Sequence, residues 1–224
     1  GKLMMQTINI HDYIRPLIAY RNDGKDYYPD GRFLGTCFFI DNKGTAITCA
    51  HIIEDLKENE ELFSYDIEKK ENIKVNIIYT HDTDDFALCS MPVNNNKFLV
   101  LKYKQVVLGR DVMSYGFLNG GIIDQTIKVD YRVMKGHISR INGECKPSFR
   151  SKQLLETSYP SLSGFSGAPV FDEKTLEVYG MLFGNIESSI EVFSFTDVSA
   201  NEPYKESVHR IIELGVAHTS DTLV

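Results

Sequence analysis

Short apolar runs, separated by residues that favour turns, recur along most of this sequence. FLGTCFFI at 33–40 is followed by D-N-K-G and then by TAITCAHII at 45–53, and similar runs continue to IEVFSF at 190–195. Runs of this length that are rich in Val, Ile, Phe and Tyr are typical of β-strands, and the turn residues between them favour a barrel or a sandwich. We therefore expect an all-β fold.

Helical spacing is confined to two segments. HIIEDLKENEELF at 51–63 contains a short helical pattern. Near the C-terminus, apolar residues recur at helical spacing at Tyr204, Val208, Ile211 and Ile212. Gly215 then supplies a helix stop, so we expect a helix over 201–215. A seam near Tyr103–Arg110 divides the strand-rich region into two similar halves.

The charge and hydropathy of the chain argue against two classes of partner. The 224 residues carry a net charge of -7, and Lys and Arg are scattered without a basic cluster, so we expect no nucleic-acid partner. No segment approaches the roughly 20 apolar residues that a membrane-spanning helix needs, so we expect no membrane partner.

Four cysteines lie far apart in the sequence. They are Cys37, Cys49, Cys89 and Cys145, and no C-x-x-C pair occurs. This spacing is typical neither of a zinc site nor of a disulfide framework. We expect no metal, no cofactor and a reducing, cytoplasmic location.

The segment S-G-F-S-G-A-P-V at 163–170 places Ser166 between two glycines and runs straight into an apolar strand. Gly164 and Gly167 permit backbone conformations that are closed to other residues, so a tight turn presents the serine side chain. The same pattern also occurs in turns that only connect strands. A nucleophilic serine needs a base and an orienting group elsewhere in the chain.

His51 and Asp85 are the candidates for those two groups. His51 ends the apolar run A-I-T-C-A-H, and histidine is the side chain that takes and returns a proton near neutral pH, although a structural role also fits this position. Asp85 lies where D-T-D-D passes into the strand F-A-L, so its carboxylate is placed to accept an imidazole N–H. Spacing alone does not exclude the neighbouring Asp84.

In the order His, Asp, Ser, the motifs T-C-A-H, D-F-A-L and G-F-S-G-A-P-V resemble the three signatures of the chymotrypsin-like (trypsin-like) serine peptidases. G-H-I-S at 136–139 is similar to a strand of the disulfide-free bacterial-type branch of that family. The resemblance covers about Phe33–Gly215 and implies two six-stranded antiparallel β-barrels with the active site in the crevice between them. We expect one peptidase domain, 1–224. Its parts are a leading arm (1–30), a first barrel (31–105), a second barrel (106–200) and the C-terminal helix (201–215).

The resemblance also implies a role for each motif residue. Ser166 corresponds to the nucleophile, His51 to the general base and acid, and Asp85 to the orienting carboxylate. The backbone N–H groups of Gly164 and Ser166 correspond to the oxyanion hole.

Two positions depart from the digestive members of that family. Phe165 stands where those enzymes have an Asp that pairs with a new amino terminus, and Ile52 stands where they have a disulfide cysteine beside the histidine. Activation by insertion of a new N-terminus is therefore not expected.

Two segments match the walls that bind substrate in the family. They are Pro160, Ser161 and Leu162 on one side and Phe183, Gly184 and Asn185 on the other. The absence of a carboxylate at 160–162 argues against a basic residue before the scissile bond, unless Glu187 enters the pocket. For His137, a structural role is favoured over a role in specificity.

The sequence thus predicts a serine endopeptidase that cleaves protein or peptide substrates through an acyl-enzyme. It also predicts that the domain is the effector of a larger regulated protein, with a regulatory partner or additional domains. The alternatives are a peptide-binding pseudo-peptidase without turnover and a structural β-domain with a chance motif match.

Overall fold

Two sheets, in which all but one of the strand pairs are antiparallel, account for most of the described residues. The computed structural model describes residues 9–22, 31–93, 97–103, 106–123, 126–142, 153–197 and 204–223. The all-β prediction is confirmed, because the described helices are limited to one short α-helix, α1 (Ala50–Glu54), and two 3-10 turns, Ile10–Asp12 and Ser220–Thr222. None of the helices in these ranges has the length and hydrophobicity needed to span a membrane.

The first sheet contains seven strands in the order β5-β4-β1-β2-β3-β7-β6. Its edge strands β5 and β6 follow each other in the chain and are separated only by Val75, whose N–H donates to Leu62 O at 2.9 Å. The strands are β1 (Ile14–Arg21), β2 (Arg32–Phe39), β3 (Thr45–Thr48), β4 (Glu60–Asp66), β5 (Glu71–Lys74), β6 (Asn76–Thr80) and β7 (Ala87–Ser90).

The second sheet also contains seven strands, in the order β12-β9-β10-β11-β14-β13-β8. β12 pairs with both β9 and β13, and β8 pairs in parallel with β13. The strands are β8 (Val100–Leu101), β9 (Asp111–Ile123), β10 (Thr126–Asn142), β11 (Leu154–Thr157), β12 (Pro169–Phe171), β13 (Glu177–Asp197) and β14 (Tyr204–Thr219).

Most of the buried apolar side chains form two clusters, one built by both sheets and one within the second sheet. Leu17, Phe38 and Ile47 belong to a core that also includes residues of β9 and β13, whereas Phe165 and Tyr179 belong to a second core within the second sheet. The alternating apolar residues that predicted the strands are the residues that fill these cores. The histidine and aspartate motifs contribute Cys49 and Phe86 to the first core, and the serine motif contributes Phe165 and Ala168 to the second.

Two predicted boundaries change, and the predicted barrels are not confirmed. The leading arm over 1–30 contains β1, an interior strand between β4 and β2, so the first sheet begins well before residue 31. β8 pairs with β13, so the second sheet begins before the predicted seam at 105. The two closed six-stranded barrels are not confirmed, because each sheet contains seven strands.

The predicted C-terminal helix over 201–215 is wrong. Residues 204–219 form β14, which pairs with β13 along its whole length. The apolar positions Tyr204, Val208 and Ile212 are four residues apart, and a spacing of four fits one face of a strand as well as one face of a helix. The matching strand β13 settles the conformation in favour of the hairpin.

Candidate active site

His51 and Asp85 form a tight pair in the first sheet. His51 lies in the first turn of α1, directly after β3, and Asp85 lies in the loop before β7. The Asp85 Oδ2 atom is 2.6 Å from His51 Nδ1, and Oδ1 accepts the His51 backbone N–H at 2.8 Å. The carboxylate is 8% exposed and the imidazole 45% exposed. The buried Asp85 carboxylate therefore fixes the orientation of the His51 ring. The other ring nitrogen, Nε2, takes no part in the contact with Asp85.

The alternative acid, Asp84, points elsewhere. Its carboxylate lies 3.6 Å from His81 Nδ1, and its backbone N–H also donates to that nitrogen. Of the two neighbouring carboxylates, that of Asp85 is the one in contact with the His51 ring.

A buried histidine that the sequence analysis missed lies behind Asp85. His218 on β14 is fully buried, its Nε2 is 4.0 Å from Asp85 Oδ2, and its ring stacks on Phe183 with centroids 4.2 Å apart. Burial raises the pKa of the Asp85 carboxyl, but the interactions with His218 and with the ring and backbone N–H of His51 outweigh it and hold that pKa well below its usual range. The only signal in the sequence is a polar residue inside the apolar run G-V-A-H-T at 215–219.

The serine motif folds as two consecutive tight turns. Phe165 N–H donates to Leu162 O, and Ala168 N–H donates to Phe165 O, both at 2.8 Å. In each turn the third residue is glycine with positive φ, +96° at Gly164 and +87° at Gly167, as a type II turn requires. The glycines of the motif are thus explained by backbone conformation, and Ser166 becomes the second residue of the second turn.

Thr36 of β2 ties this loop to the first sheet. Its hydroxyl donates to Gly164 O at 2.9 Å, and its backbone N–H donates to Ser166 O at 2.9 Å. A Cβ on Gly167 would come within 1.9 Å of Thr36 O, so the close approach requires glycine there. The contacts with Thr36 bring the serine loop of the second sheet against the sheet that carries His51.

Phe165, which replaces the family's aspartate, anchors the loop from the other side. Its side chain is fully buried in the second core, and a Cβ on Gly116 of β9 would lie 2.7 Å from its ring. An apolar contact therefore occupies the place of the ion pair that digestive relatives use to order this loop.

Two backbone donors of the loop are free to bind a ligand. The N–H groups of Gly164 and Ser166 have no acceptor within the described part of the chain. Ser166 Oγ forms no hydrogen bond with His51 in this structure, although both residues are described. The structure thus brings His51 and Asp85 into direct contact and places Ser166 on a loop anchored to the same sheet.

A family model supplies the deciding comparison. The model of the trypsin-like peptidase domain matches residues 35–181, which is more than half of the chain and contains all three motifs. The chain belongs to the trypsin-like peptidase family. No curated protein matches the sequence.

Solved structures of peptidases share the fold. The active form of the Rv3671c protease from M. tuberculosis is 15% identical with a TM-score of 0.62, and the match covers 95% of this chain and 78% of that one. The HtrA-type protease AlgW with a decapeptide is 12% identical with a TM-score of 0.63, and the match covers 93% of this chain and 61% of that one. At these identities the likeness concerns the fold, which is chymotrypsin-like.

The predicted substrate walls of this peptidase domain are joined by Asn185. Its side-chain oxygen accepts the Ser161 N–H at 2.6 Å, and its amide nitrogen donates to Ser161 O at 2.9 Å. The amide thereby holds β13 against the 160–162 segment. The side chain of Asn185 is thus bonded to Ser161, whereas its backbone belongs to β13.

The edge of β13 beside these walls is open. β13 pairs with β12 up to Met181, and Leu182 N–H donates to Ala168 O. Beyond Leu182, the side of β13 that faces away from β14 pairs with no other described strand. An open edge at Phe183–Asn185 is suited to accept a peptide strand.

Glu187 and His137, which the sequence analysis weighed for a part in specificity, both lie on the surface. Glu187 is exposed and faces Glu213 across the β13–β14 ladder. His137 is exposed and lines a groove of about 780 Å³ together with residues 107–113 and 172–174, which include none of the predicted site residues.

One cluster has the composition of a metal site. Cys49, His51 and Asp85 each place a ligand atom within 4.8 Å of the others. The Asp85 oxygens are already bonded to His51, the Cys49 thiol donates to Leu182 O at 3.4 Å, and burial raises the pKa of that thiol. A protonated thiol is a poor metal ligand, so the cluster fits a proton-transfer pair better than a metal centre.

Proposed function

We propose that the protein is a serine endopeptidase that uses Ser166, His51 and Asp85 to cleave polypeptide substrates. The observation that carries the proposal is the two-point contact of a buried Asp85 carboxylate with His51, at 2.6 and 2.8 Å. A tight turn that carries a serine, anchored to the same sheet, supports the assignment of the nucleophile.

In the proposed mechanism, Ser166 Oγ attacks the substrate carbonyl carbon while His51 Nε2 accepts the hydroxyl proton. The negative charge that forms on the carbonyl oxygen is bound by the free N–H groups of Gly164 and Ser166. The C–N bond then breaks as His51 returns the proton to the leaving amine, which leaves an acyl ester on Ser166. His51 next takes a proton from water, whose oxygen attacks the ester carbon. The bond from that carbon to Ser166 Oγ then breaks as His51 gives the proton to Oγ, which releases the acid and restores the serine hydroxyl.

Asp85 has a supporting part in this mechanism. Its carboxylate accepts the Nδ1–H of His51 and stabilises the imidazolium that forms after each proton transfer. Although the carboxylate is buried, its interactions with His51 and His218 hold its pKa well below its usual range and keep it ionised throughout.

Substrate binding follows from the open edge of β13. We propose that the residues before the scissile bond pair with Phe183–Asn185, and that Pro160, Ser161 and Leu162 form the opposite wall. We also propose that the two sheets correspond to the family's two barrels. In the first sheet, the edge strands β5 and β6 would then count as one strand that bends at Val75. Buried, unbridged Cys37, Cys49 and Cys89 support a reducing, cytoplasmic setting.

The second candidate is a peptide-binding module without turnover. The missing hydrogen bond between Ser166 Oγ and His51 favours this alternative, although such bonds are often long before substrate binds. The same observation suits control of the peptidase activity by a regulatory partner or an additional domain. Binding of that partner would bring the side chains of Ser166 and His51 together.

A cleavage assay separates the two candidates. Wild type is incubated with an unfolded protein substrate beside Ser166→Ala, and Ser163→Ala, which alters an exposed serine of the same loop, is the matched control. We expect cleavage by wild type and Ser163→Ala and none by Ser166→Ala. Peptide binding by all three variants without cleavage by any would favour the binding module.

A further inference from the structure

β13 and β14 continue well beyond the second sheet as a two-stranded ribbon. Residues 186–197 and 204–214, called here the hairpin extension, pair only with each other among the described strands. Nearly every residue of the extension is exposed. Two-stranded hairpins are marginally stable by themselves in water, so a long extension of this kind calls for a surface that covers it.

The extension has one apolar face and one polar face. On the apolar face, cross-strand partners are Ile190 with Arg210, Phe193 with Val208, and Phe195 with Glu206, and Tyr204 and Ile212 extend the same face at its two ends. The opposite face carries Ile211, which is 60% exposed, but its other residues are mainly polar, namely Ser189, Glu191, Ser194, Thr196, Lys205, Ser207 and His209.

A β-bulge keeps the apolar residues together. The register shifts between Glu191 and Phe193, so that Val192 is the extra residue and Ile190 and Phe193 project from the same side. Without the bulge, Phe193 would turn to the polar face. Phe193 is 60% exposed, which is unusual for a side chain that the strand geometry groups with other apolar residues.

Two charges of opposite sign lie symmetrically on the apolar face. Glu206 is two residues before Val208 and Arg210 is two residues after it, so the two lie about 14 Å apart along the strand. Neither has an ion-pair partner within the described part of the chain. If a second copy of β14 is laid antiparallel over the first with the two Val208 residues opposite each other, Glu206 of one copy lies opposite Arg210 of the other.

We propose that this face is the interface of a symmetric homodimer. In this dimer the apolar faces of the two hairpin extensions stack on each other. The two-fold axis lies between them, runs perpendicular to the strands and passes the level of Val208 and Phe193. β14 of one copy then lies over β14 of the other, and the two strands run in opposite directions. Glu206 of each copy then meets Arg210 of the other, and Phe193 packs on its own counterpart. This is the self-complementary pattern that an isologous contact requires.

The exposed area is compatible with this role. Phe193, Phe195 and Tyr204 are 60%, 51% and 60% exposed, and large aromatic side chains present about 150–250 Å² each. These three side chains thus offer roughly 250–430 Å². Ile190, Val208, Ile212 and the two charged side chains extend the patch toward the roughly 800 Å² per partner of a standard interface.

The experiment measures molar mass by light scattering during size-exclusion chromatography, over a range of concentrations. Wild type is compared with Arg210→Glu, Glu206→Arg and the double variant that carries both changes. Lys205→Glu, which reverses a charge on the opposite face of the same strand, is the matched control. Circular dichroism verifies that each variant is folded.

We expect wild type and Lys205→Glu at twice the chain mass of 25.5 kDa. Each single reversal on the apolar face places like charges together and weakens association by at least about tenfold, and the double variant restores it. A wild type that stays monomeric at every concentration overturns the proposal. A dimer that survives both single reversals, or one that the double variant does not restore, overturns it equally.

Discussion

The contact between Phe165 and Gly116 makes a quantitative prediction about how the serine loop is held. The Phe165 ring fills the space above Gly116, and the three atoms nearest to a Cβ built on that glycine, at 2.7, 2.8 and 2.9 Å, all belong to Phe165. Phe165→Ala removes the anchor, and Gly116→Ala pushes a methyl group into it. The two changes together relieve the clash and return part of the lost volume.

The magnitudes follow from burial and packing. Phe165 is fully buried, so Phe165→Ala should cost about 3–5 kcal/mol in the free energy of unfolding. Gly116→Ala overpacks the same space and should cost about 1–3 kcal/mol. The double variant should be less destabilised than the sum of the single changes by about 1–3 kcal/mol. For a chain of this size, Phe165→Ala alone corresponds to a fall in Tm of about 6–20 °C.

Urea unfolding of the four proteins, with the slope of each transition compared, measures these free energies. Peptidase activity, measured in parallel under native conditions, should fall in Phe165→Ala because the turn that carries Ser166 loses its anchor. Strictly additive free energies, or full activity in Phe165→Ala, would refute the view that this aromatic contact positions the loop.

Three further predictions concern the site and its surroundings. Asp85→Asn should leave the fold intact and lower kcat by about 10⁴, because the histidine loses its acceptor and adopts the wrong tautomer; steady-state kinetics and a melting curve measure the two effects. Asp66→Asn should destabilise the protein by about 3 kcal/mol at pH 7, because Arg15, 3.0 Å away, loses a buried partner. Burial raises the pKa of Asp66, but its hydrogen bonds and Arg15 hold that pKa below its usual value. The stabilisation by Asp66 is therefore present above about pH 4 and lost as the pH falls through the folded pKa. Urea unfolding across pH should show the free energies of unfolding of wild type and Asp66→Asn converging in acid. Asn185→Ala removes both bonds to Ser161 and should lower kcat/KM for peptides by about tenfold, and unchanged peptide kinetics would contradict its role in spacing the walls.

The sequence predicted best those features that depend on local backbone conformation. The two glycines around Ser166 are required by consecutive type II turns, and a turn of this kind leaves its mark in a few adjacent residues. The position of Asp85 beside the apolar strand favours it over Asp84, and in the structure Asp85 is the one in contact with the His51 ring.

Features that depend on pairing between distant segments were harder to predict. The sequence predicts a helix in place of β14, because a four-residue spacing of apolar side chains fits both a helix and a strand. Only the pairing with β13 resolves the ambiguity. His218 approaches Asp85 from a strand more than a hundred residues further along the chain, so no local pattern indicates the contact. The apolar face of the hairpin extension depends on the β-bulge at Val192, which shifts the pairing of β13 with β14. No sequence motif marks this bulge.

The most direct test of the proposed peptidase is the intact mass of the protein after exposure to a fluorophosphonate probe, for wild type and Ser166→Ala. An assembled Ser166, His51 and oxyanion site predicts a single adduct on wild type, mapped to Ser166, and none on the variant. An unlabelled wild type, or an adduct that persists on Ser166→Ala, would contradict the assignment of Ser166 as the nucleophile.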